Sequence, residues 1–257
     1  MTAKEYIDEV KLRLMRIGVT LSLTDQLILT YINRARREVQ KHTMDLFPER
    51  YGKVQNILLA NLSAYTDFGI KGTGYSGRAV AVRRGQLSAD FIKQYVVLVK
   101  YSVGENVIFS EARYMTKPEM YAIGMHAFNT TTLGNPAYTC ERSMADNNWY
   151  IFIADLDADA TATVSGIYIY YIAAIHDLED TAVVGAAYVN DTELVIPPDA
   201  EEMVVYYTML YCMQNIAEES ALESIRGDIG NLMGLLQTSY YVEKRKMGIL
   251  IPSKEGL

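Results

Sequence analysis

The chain has little of several things that would point to a particular chemistry. Its 257 residues include two cysteines, Cys140 and Cys212, which lie far apart and match no metal or redox spacing. A disulfide framework is not expected, and free thiols in a reducing compartment are. The three histidines, His42, His126 and His176, sit in separate segments with no partner four residues away, so no helical metal pair is on offer. No GxSxG elbow is present and neither cysteine lies in a nucleophile signature, which leaves covalent hydrolase chemistry without support. Positive charge is also short. The 24 Lys and Arg against 31 Asp and Glu give a net charge of -7, which argues against a wide basic surface for nucleic-acid backbones. Long apolar runs are missing: the longest, IYIYYIAAI at 167–175 and MVVYYTMLYCM at 203–213, fall well short of the roughly 20 residues that span a bilayer. The opening MTAKEYIDEVKLRLM has no uninterrupted apolar core, so a cleaved secretory signal is not expected. The sequons at Asn61, Asn129 and Asn190 carry meaning only in a secretory context and are read as chance.

What is present is enough apolar residue, 50% of the chain, to bury a sizeable core. In residues 2–16, Tyr6, Ile7, Val10 and Leu14 recur at helical spacing with charge between them, and Gly18 is the expected stop. Thr24 and Asp25 supply a cap for a second helix, whose apolar stripe runs through Leu27, Ile28, Tyr31, Ile32, Ala35 and Val39 to His42. Asn33, Arg34, Arg37 and Lys41 are expected mainly on the opposite side. Residues 49–66 read either as a helix after Pro48 or as a loop followed by a strand, with helix as the expectation.

The β region is expected to begin after the glycine-rich stretch 67–77. RAVAVRR at 78–84 alternates like a strand, and QYVVLVKYSV at 94–103 with NVIFSEARYM at 106–115 reads as a hairpin about Gly104 and Glu105. A short helix, PEMYAIGMHAF, follows Thr116. PAYTCER, NWYIFIA and TATVSGIYIYYIAAI are then β-branched and aromatic, as strands are. Pro197 and Pro198 end strand pairing, and Pro198 suits a first helical turn with Asp199, Glu201 and Glu202 on the positive end of its dipole. Met203, Tyr207, Leu210, Tyr211, Gln214 and Ala217 are expected along one side of that helix. A further helix carries Leu232, Leu235, Leu236, Ser239 and Tyr240, after a connection in which Gly227, Gly230 and Gly234 suggest a break and a close approach. The fold class is therefore α+β: a helical bundle built from N- and C-terminal helices, with a central antiparallel β domain inserted. The expected boundaries are 1–66 helical, 67–196 β, 197–246 helical and 247–257 a tail.

Two motifs promise chemistry and do not deliver it. GTGYSG at 72–77 fits the dinucleotide fingerprint, but a strand-like segment follows where a helix N-terminus must stand, so a loop is the better reading. Asp155, Asp157 and Asp159 resemble the first ligands of a calcium loop, yet Ala160 replaces the turn glycine and Gly166 the bidentate glutamate, so a polar turn is expected. No metal site and no cofactor are predicted. The 20 tyrosines, against one tryptophan and six phenylalanines, fit partly wet subunit interfaces and equally fit half-exposed strands. The tail at 247–257 reads evenly as a docking segment or as simple disorder.

Three segments carry a family likeness: TDQLILTYINRARREVQKHT, the stretch from Asn135 to Ile175, and LVIPPDAEEMVVYYTMLYCMQNIAEES. Over roughly residues 20–225 the chain resembles the head-to-tail adaptor, or connector ring, proteins of tailed bacteriophages. There an early helix with an asparagine and basic residues precedes a β region, and a Tyr-rich strand leads into a proline-acid helix start. Tyr168, Tyr170, Tyr171, Pro197, Glu201 and Glu202 take the matching positions. Where some members close that strand with proline, this chain has Ala173, Ala174 and Ile175. The resemblance implies a structural virion protein without catalysis, located in the neck between capsid and tail and assembled in the host cytoplasm. Its expected partners are itself in a homo-oligomeric, dodecameric ring, the portal protein, a downstream tail or neck protein, and DNA passing through the lumen without sequence-specific binding. No membrane is involved. Arg34, Arg36 and Arg37 are candidate contacts to neighbours or portal, with a solvated helix face as the alternative. Tyr168, Tyr170 and Tyr171 are candidate interface residues, and Ile249, Leu250, Ile251, Pro252 and Leu257 candidate docking residues. Competing readings are another neck or tail subunit, or a small-molecule-binding domain or enzyme with no local motif.

Overall fold

Helices at both ends of the chain flank a central run of strands, in the α+β arrangement expected. The computed structural model describes residues 1–19, 23–65, 82–103, 105–122, 135–154, 163–178, 196–214 and 219–246. They fall into two compact units, one made of Met1–Tyr51 with Ala174–Leu257 and the other of Gly52–Ala173.

In the helical unit, α1 (Ala3–Arg16) starts with a reciprocal cap: Glu5 N–H donates to Thr2 Oγ1 at 3.3 Å, and Thr2 N–H to Glu5 Oε2 at 2.7 Å. It ends at Gly18, whose φ of +77° is a left-handed conformation that glycine adopts without strain. The next helix, α2 (Asp25–Thr43), is capped by Thr24, and α3 (Pro48–Tyr51) is a single turn. Pro198 opens α5 (Pro198–Met213) at the first helical turn, as the sequence predicts.

The apolar surface of α5 differs from expectation. Besides Met203 and Leu210 it buries Val204, Val205, Thr208, Met209 and Met213, because α1, α2 and α6 (Glu219–Lys246) all pack against it. A helix enclosed on several sides has no single apolar stripe. α6 also departs from expectation, running unbroken for 28 residues, or about 42 Å, through Gly227, Gly230 and Gly234. No atom of the described residues outside the helix's own backbone lies within 4 Å of where a Cβ would stand on any of the three, so among those residues these glycines make no close approach.

The helix expected over 49–66 is not formed. After α3 come β1 (Gly52–Leu58), a short 3₁₀ turn at Leu59–Asn61 and β2 (Ser63–Tyr65). β1 is held by antiparallel pairing with β9 (Thr163–Ala173), from Gly52 opposite Ile172 to Leu58 opposite Gly166, a partner that no local pattern announces. The β unit thus begins before residue 67. At its far end it stops at Ala173, because Ala174 to Leu178 join the helical unit.

The first sheet has the order β1, β9, β4 (Phe91–Val103), β5 (Asn106–Glu111), with every neighbouring pair antiparallel, and β4 with β5 is the expected hairpin pairing. The second has the order β2, β3 (Val82–Gln86), β8 (Trp149–Ala154), β7 (Ala137–Arg142), β6 (Arg113–Tyr114), with only β6 and β7 parallel. The two sheets meet near Gly85, where a Cβ would stand 2.6 Å from the Leu62 side chain, 3.2 Å from Ile57 and 3.5 Å from Ile151. Ile57, Val97, Val99, Ile167 and Ile169 of the first sheet and Ile151 and Ile153 of the second are buried there. The other face of the second sheet has its own core, in which Val82, Phe152, Ala154 and Ala137 pack with Met115 and with Met120 of α4 (Lys117–Ala122). GTGYSG, the aspartates of DLDADA, His126, Asn129, Asn190 and the tail 247–257 lie outside the described residues. Gly166 is described, and it answers the calcium-loop comparison. It is paired on both sides within the sheet, and a Cβ there would stand 2.8 Å from the Ile57 carbonyl oxygen, so the position leaves no room for a bidentate glutamate.

Candidate interaction surfaces

Strand geometry sorts the three predicted tyrosines. Successive residues point to opposite faces of a sheet, so Tyr168 and Tyr170 share the outer face of the first sheet, while Tyr171 points inward. Tyr170 is 40% exposed, Tyr168 half-buried and Tyr171 only 3% exposed. Tyr171 is instead part of a small polar knot: its hydroxyl donates to Asp90 Oδ1 at 3.0 Å, and Lys53 Nζ reaches Asp90 Oδ2 at 2.6 Å. Burial alone would raise the Asp90 pKa, but hydrogen bonds from Lys53, Ser88 and Tyr171, with the charge of Lys53, hold it below the usual carboxylate value.

The register extends the tyrosine face across all strands of the sheet. Tyr170 lies between Val54 of β1 and Val96 of β4, and Tyr168 between Asn56 and Leu98. On β5, Phe109 stands opposite Lys100, and its ring meets that of Tyr168 edge-on at 5.7 Å between centroids. Val54, Leu58, Val107 and Phe109 are each at least 50% exposed. An antiparallel sheet with one solvated face ordinarily alternates apolar in and polar out. Here the outer face is largely apolar but shares its surface with Asn56, Lys100 and Glu111, and sequence reasoning missed all of this face except its tyrosines. The period-two rule applied to β5 and β9 would have found more of it.

The three arginines part company. Arg36, with Asn33 and Gln40, lies on the buried side of α2 and grips the chain leaving β9. Asn33 Nδ2 donates to the Leu178 carbonyl at 2.9 Å, and the Leu178 N–H donates back to Asn33 Oδ1 at 2.8 Å. Arg36 Nη1 donates to the His176 carbonyl at 2.8 Å, and the Ile175 N–H to Gln40 Oε1 at 3.2 Å. Exposed Arg37 pairs with Asp177 at 2.5 Å. The expectation that Asn33 sits on the outer side of α2 is therefore corrected: it is buried because its amide replaces the pairing that a departing strand loses. All three make contacts within the subunit, the exposed Arg34 by lying over the Tyr211 ring, 4.3 Å from its centroid.

A cleft of about 930 Å³ opens in the helical unit at the end of α1, between α5 and α6. Its apolar lining includes Ile17, Tyr206, Met209, Met213 and Ile225, and its charged lining Arg13, Arg16, Glu202 and Asp228. Arg13 is already bonded to Glu9 at 2.6 Å and to Glu202 at 3.1 Å, and it stacks over Tyr206.

The two cysteines are poor nucleophiles. Burial pushes the Cys140 thiol up to about 12 and that of Cys212 up to about 11, so neither is a thiolate at neutral pH. Among the described residues no group of three or more His, Cys, Asp or Glu is placed to hold a metal, and no helix is long and apolar enough to cross a membrane. His42 and His176 are described and stand apart: His42 stacks on Tyr207, and the His176 carbonyl is held by Arg36. No family model matches the chain, and no curated protein matches it.

Proposed function

We propose that the protein is a structural virion subunit of a tailed bacteriophage, a head-to-tail adaptor that forms a ring of identical copies between portal and tail. The observation that carries this reading is the outer face of the first sheet, where Tyr168, Tyr170, Val54, Val107 and Phe109 give an apolar, tyrosine-bearing surface spread over all its strands. Such a surface suits burial against a protein partner, with tyrosine hydroxyls reaching the wet rim. Further support comes from the three segments that carry the family likeness. Two of them meet, since the Ile175 N–H at the end of the Tyr-rich segment donates to Gln40 of the early helix, and Asn33 and Arg36 hold the residues that follow.

In this role the ring binds portal on one side and a tail or neck protein on the other, and extends the channel through which DNA leaves. A net charge of -7 limits adhesion of DNA to the lumen. The role is structural and not catalytic. The tail residues Ile249, Leu250, Ile251, Pro252 and Leu257 remain the proposed portal-docking segment. A second reading, a small-ligand site, has the cleft beside Arg16 and Asp228 in its favour.

Solution mass decides between them. The adaptor reading expects a discrete large ring, or a single chain that joins portal assemblies in fixed stoichiometry. A chain that stays single and ignores portal overturns it and turns attention to the cleft.

A further inference from the structure

The first sheet ends on two edges, β1 and β5, with no strand beyond either among the described residues. Natural edge strands are ordinarily protected by lysine, proline or an inward charge. Such protection is confined to one end of each edge, Lys53 of β1, which points inward, and Glu111 of β5, and residues 54–58 (VQNIL) and 106–110 (NVIFS) contain neither charge nor proline. In β5, Asn106 to Phe109 are exposed on both faces of the strand. An uncharged edge with apolar side chains invites another strand.

The topology says which strand fits. All neighbours in this sheet are antiparallel and the strand number is even, so β1 and β5 run in opposite directions. A second copy placed beside β5 with its own β1 edge therefore meets it antiparallel, and the alternation of strand direction continues without a break. The two edges are also matched in length, seven residues in β1 and six in β5. They are matched in face as well, since Val54 and Leu58 on one and Val107 and Phe109 on the other share the tyrosine side. We infer that β1 of one copy pairs antiparallel with β5 of the next, joining the first sheets of successive copies into one continuous sheet. This contact is heterologous, two different edges of one chain, which is the type that a closed ring requires. The inference rests on the ring reading and adds where its subunits touch.

The test uses the full chain under conditions in which it assembles, alone or on portal. Pairing that keeps the tyrosine face continuous sets even-numbered β1 residues against odd-numbered β5 residues. Two double variants, Val54→Cys with Phe109→Cys and Asn56→Cys with Phe109→Cys, sample adjacent registers of that kind. One of them is expected to give a ladder of disulfide-linked oligomers on oxidation, and the opposite-face pair Gln55→Cys with Phe109→Cys none. Val107→Lys, at a position 54% exposed, is expected to keep the wild-type circular dichroism and to lose assembly at concentrations where the parent is fully assembled. Rings that form normally with Val107→Lys and give no ladder from either face-matched pair overturn the edge pairing and leave the ring reading standing. A parent chain that never assembles overturns both.

Discussion

One face of α2 in the helical unit turns polar side chains inward, whereas one face of the first sheet in the β unit turns apolar side chains outward. In the helical unit, Asn33, Arg36, Gln40, Thr43 and Thr208 are buried, and each has a partner: backbone of residues 175–178 for the first three, the Tyr51 hydroxyl at 2.7 Å for Thr43, and the Val204 carbonyl for Thr208. In the β unit, the interior between the sheets is filled by Ile57, Ile151, Ile167 and Ile169, and further apolar residues are left over on the outside. Buried polar groups stabilise one arrangement because any other leaves them unsatisfied, at roughly 1–3 kcal/mol each. Exposed apolar groups add nothing to an isolated subunit and gain only when something covers them. These polar clips help specify the helical unit from within, while the apolar side chains on the outer face of the first sheet add nothing to the stability of an isolated subunit.

The sharpest way to break this contrast is at Asn33. Asn33→Ala removes both hydrogen bonds to Leu178 and is expected to lower stability by roughly 2–3 kcal/mol, seen as a lower urea midpoint of the helical signal. Asn33→Asp keeps the acceptor for the Leu178 N–H but loses the donor, so it should fall between. If Asn33→Ala left the midpoint unchanged, the polar clip would be incidental. Next in size is a pair of glycines in the β unit. Gly166→Ala forces a Cβ to within 2.8 Å of the Ile57 backbone oxygen, which only a strand shift relieves, and about 1–3 kcal/mol is expected to be lost. Gly85→Ala meets the end of the Leu62 side chain, which can swing aside, so its loss should be the smaller of the two. Trp149, the single tryptophan, lies in β8 and reports both by fluorescence.

Which of these features could be read in the sequence follows from how local their causes are. Gly18, Thr24 and Pro198 act within a few residues, so the ends of α1, α2 and α5 were legible, and so was the β4–β5 hairpin. β1 was not, because its partner β9 lies more than a hundred residues away in sequence, and a stretch such as VQNILLANL has too few β-branched residues to declare itself. Asn33 was placed on the wrong side of α2 because a helical wheel sorts by polarity, and only the exit path of β9 makes a buried amide favourable there. The tyrosine cluster was legible as composition, while its division into Tyr168 and Tyr170 outward and Tyr171 inward needed the strand and its register.

Smaller effects test the helical side of the contrast. Glycine costs a helix interior about 1 kcal/mol relative to alanine, and a Cβ at Gly230 or Gly234 meets none of the described residues within 4 Å. Gly230→Ala and Gly234→Ala are therefore each expected to raise the stability of the isolated subunit by up to ~1 kcal/mol, measured as an increase in Tm. A loss instead would mean that a neighbour sits close to α6.

The smallest effect is electrostatic and belongs to the β unit. Asp90 is held below the usual carboxylate pKa by Lys53, Ser88 and Tyr171, so its charged form favours the folded state. A depressed carboxyl contributes stability that is present above its unfolded value, about 3.9, and lost progressively as pH falls through the lower folded value. Asp90→Asn removes that contribution without removing the side chain's shape. The wild-type advantage over Asp90→Asn, read by Trp149 fluorescence in urea, should therefore be constant near neutrality and shrink on acidification below about pH 4. Tyr171→Phe should weaken the same pH dependence by removing one of the hydrogen bonds that hold the carboxylate. If the advantage instead grew at acid pH, the carboxyl would be favoured in its protonated form, and the polar knot at Tyr171 would be governed by burial and not by its hydrogen bonds.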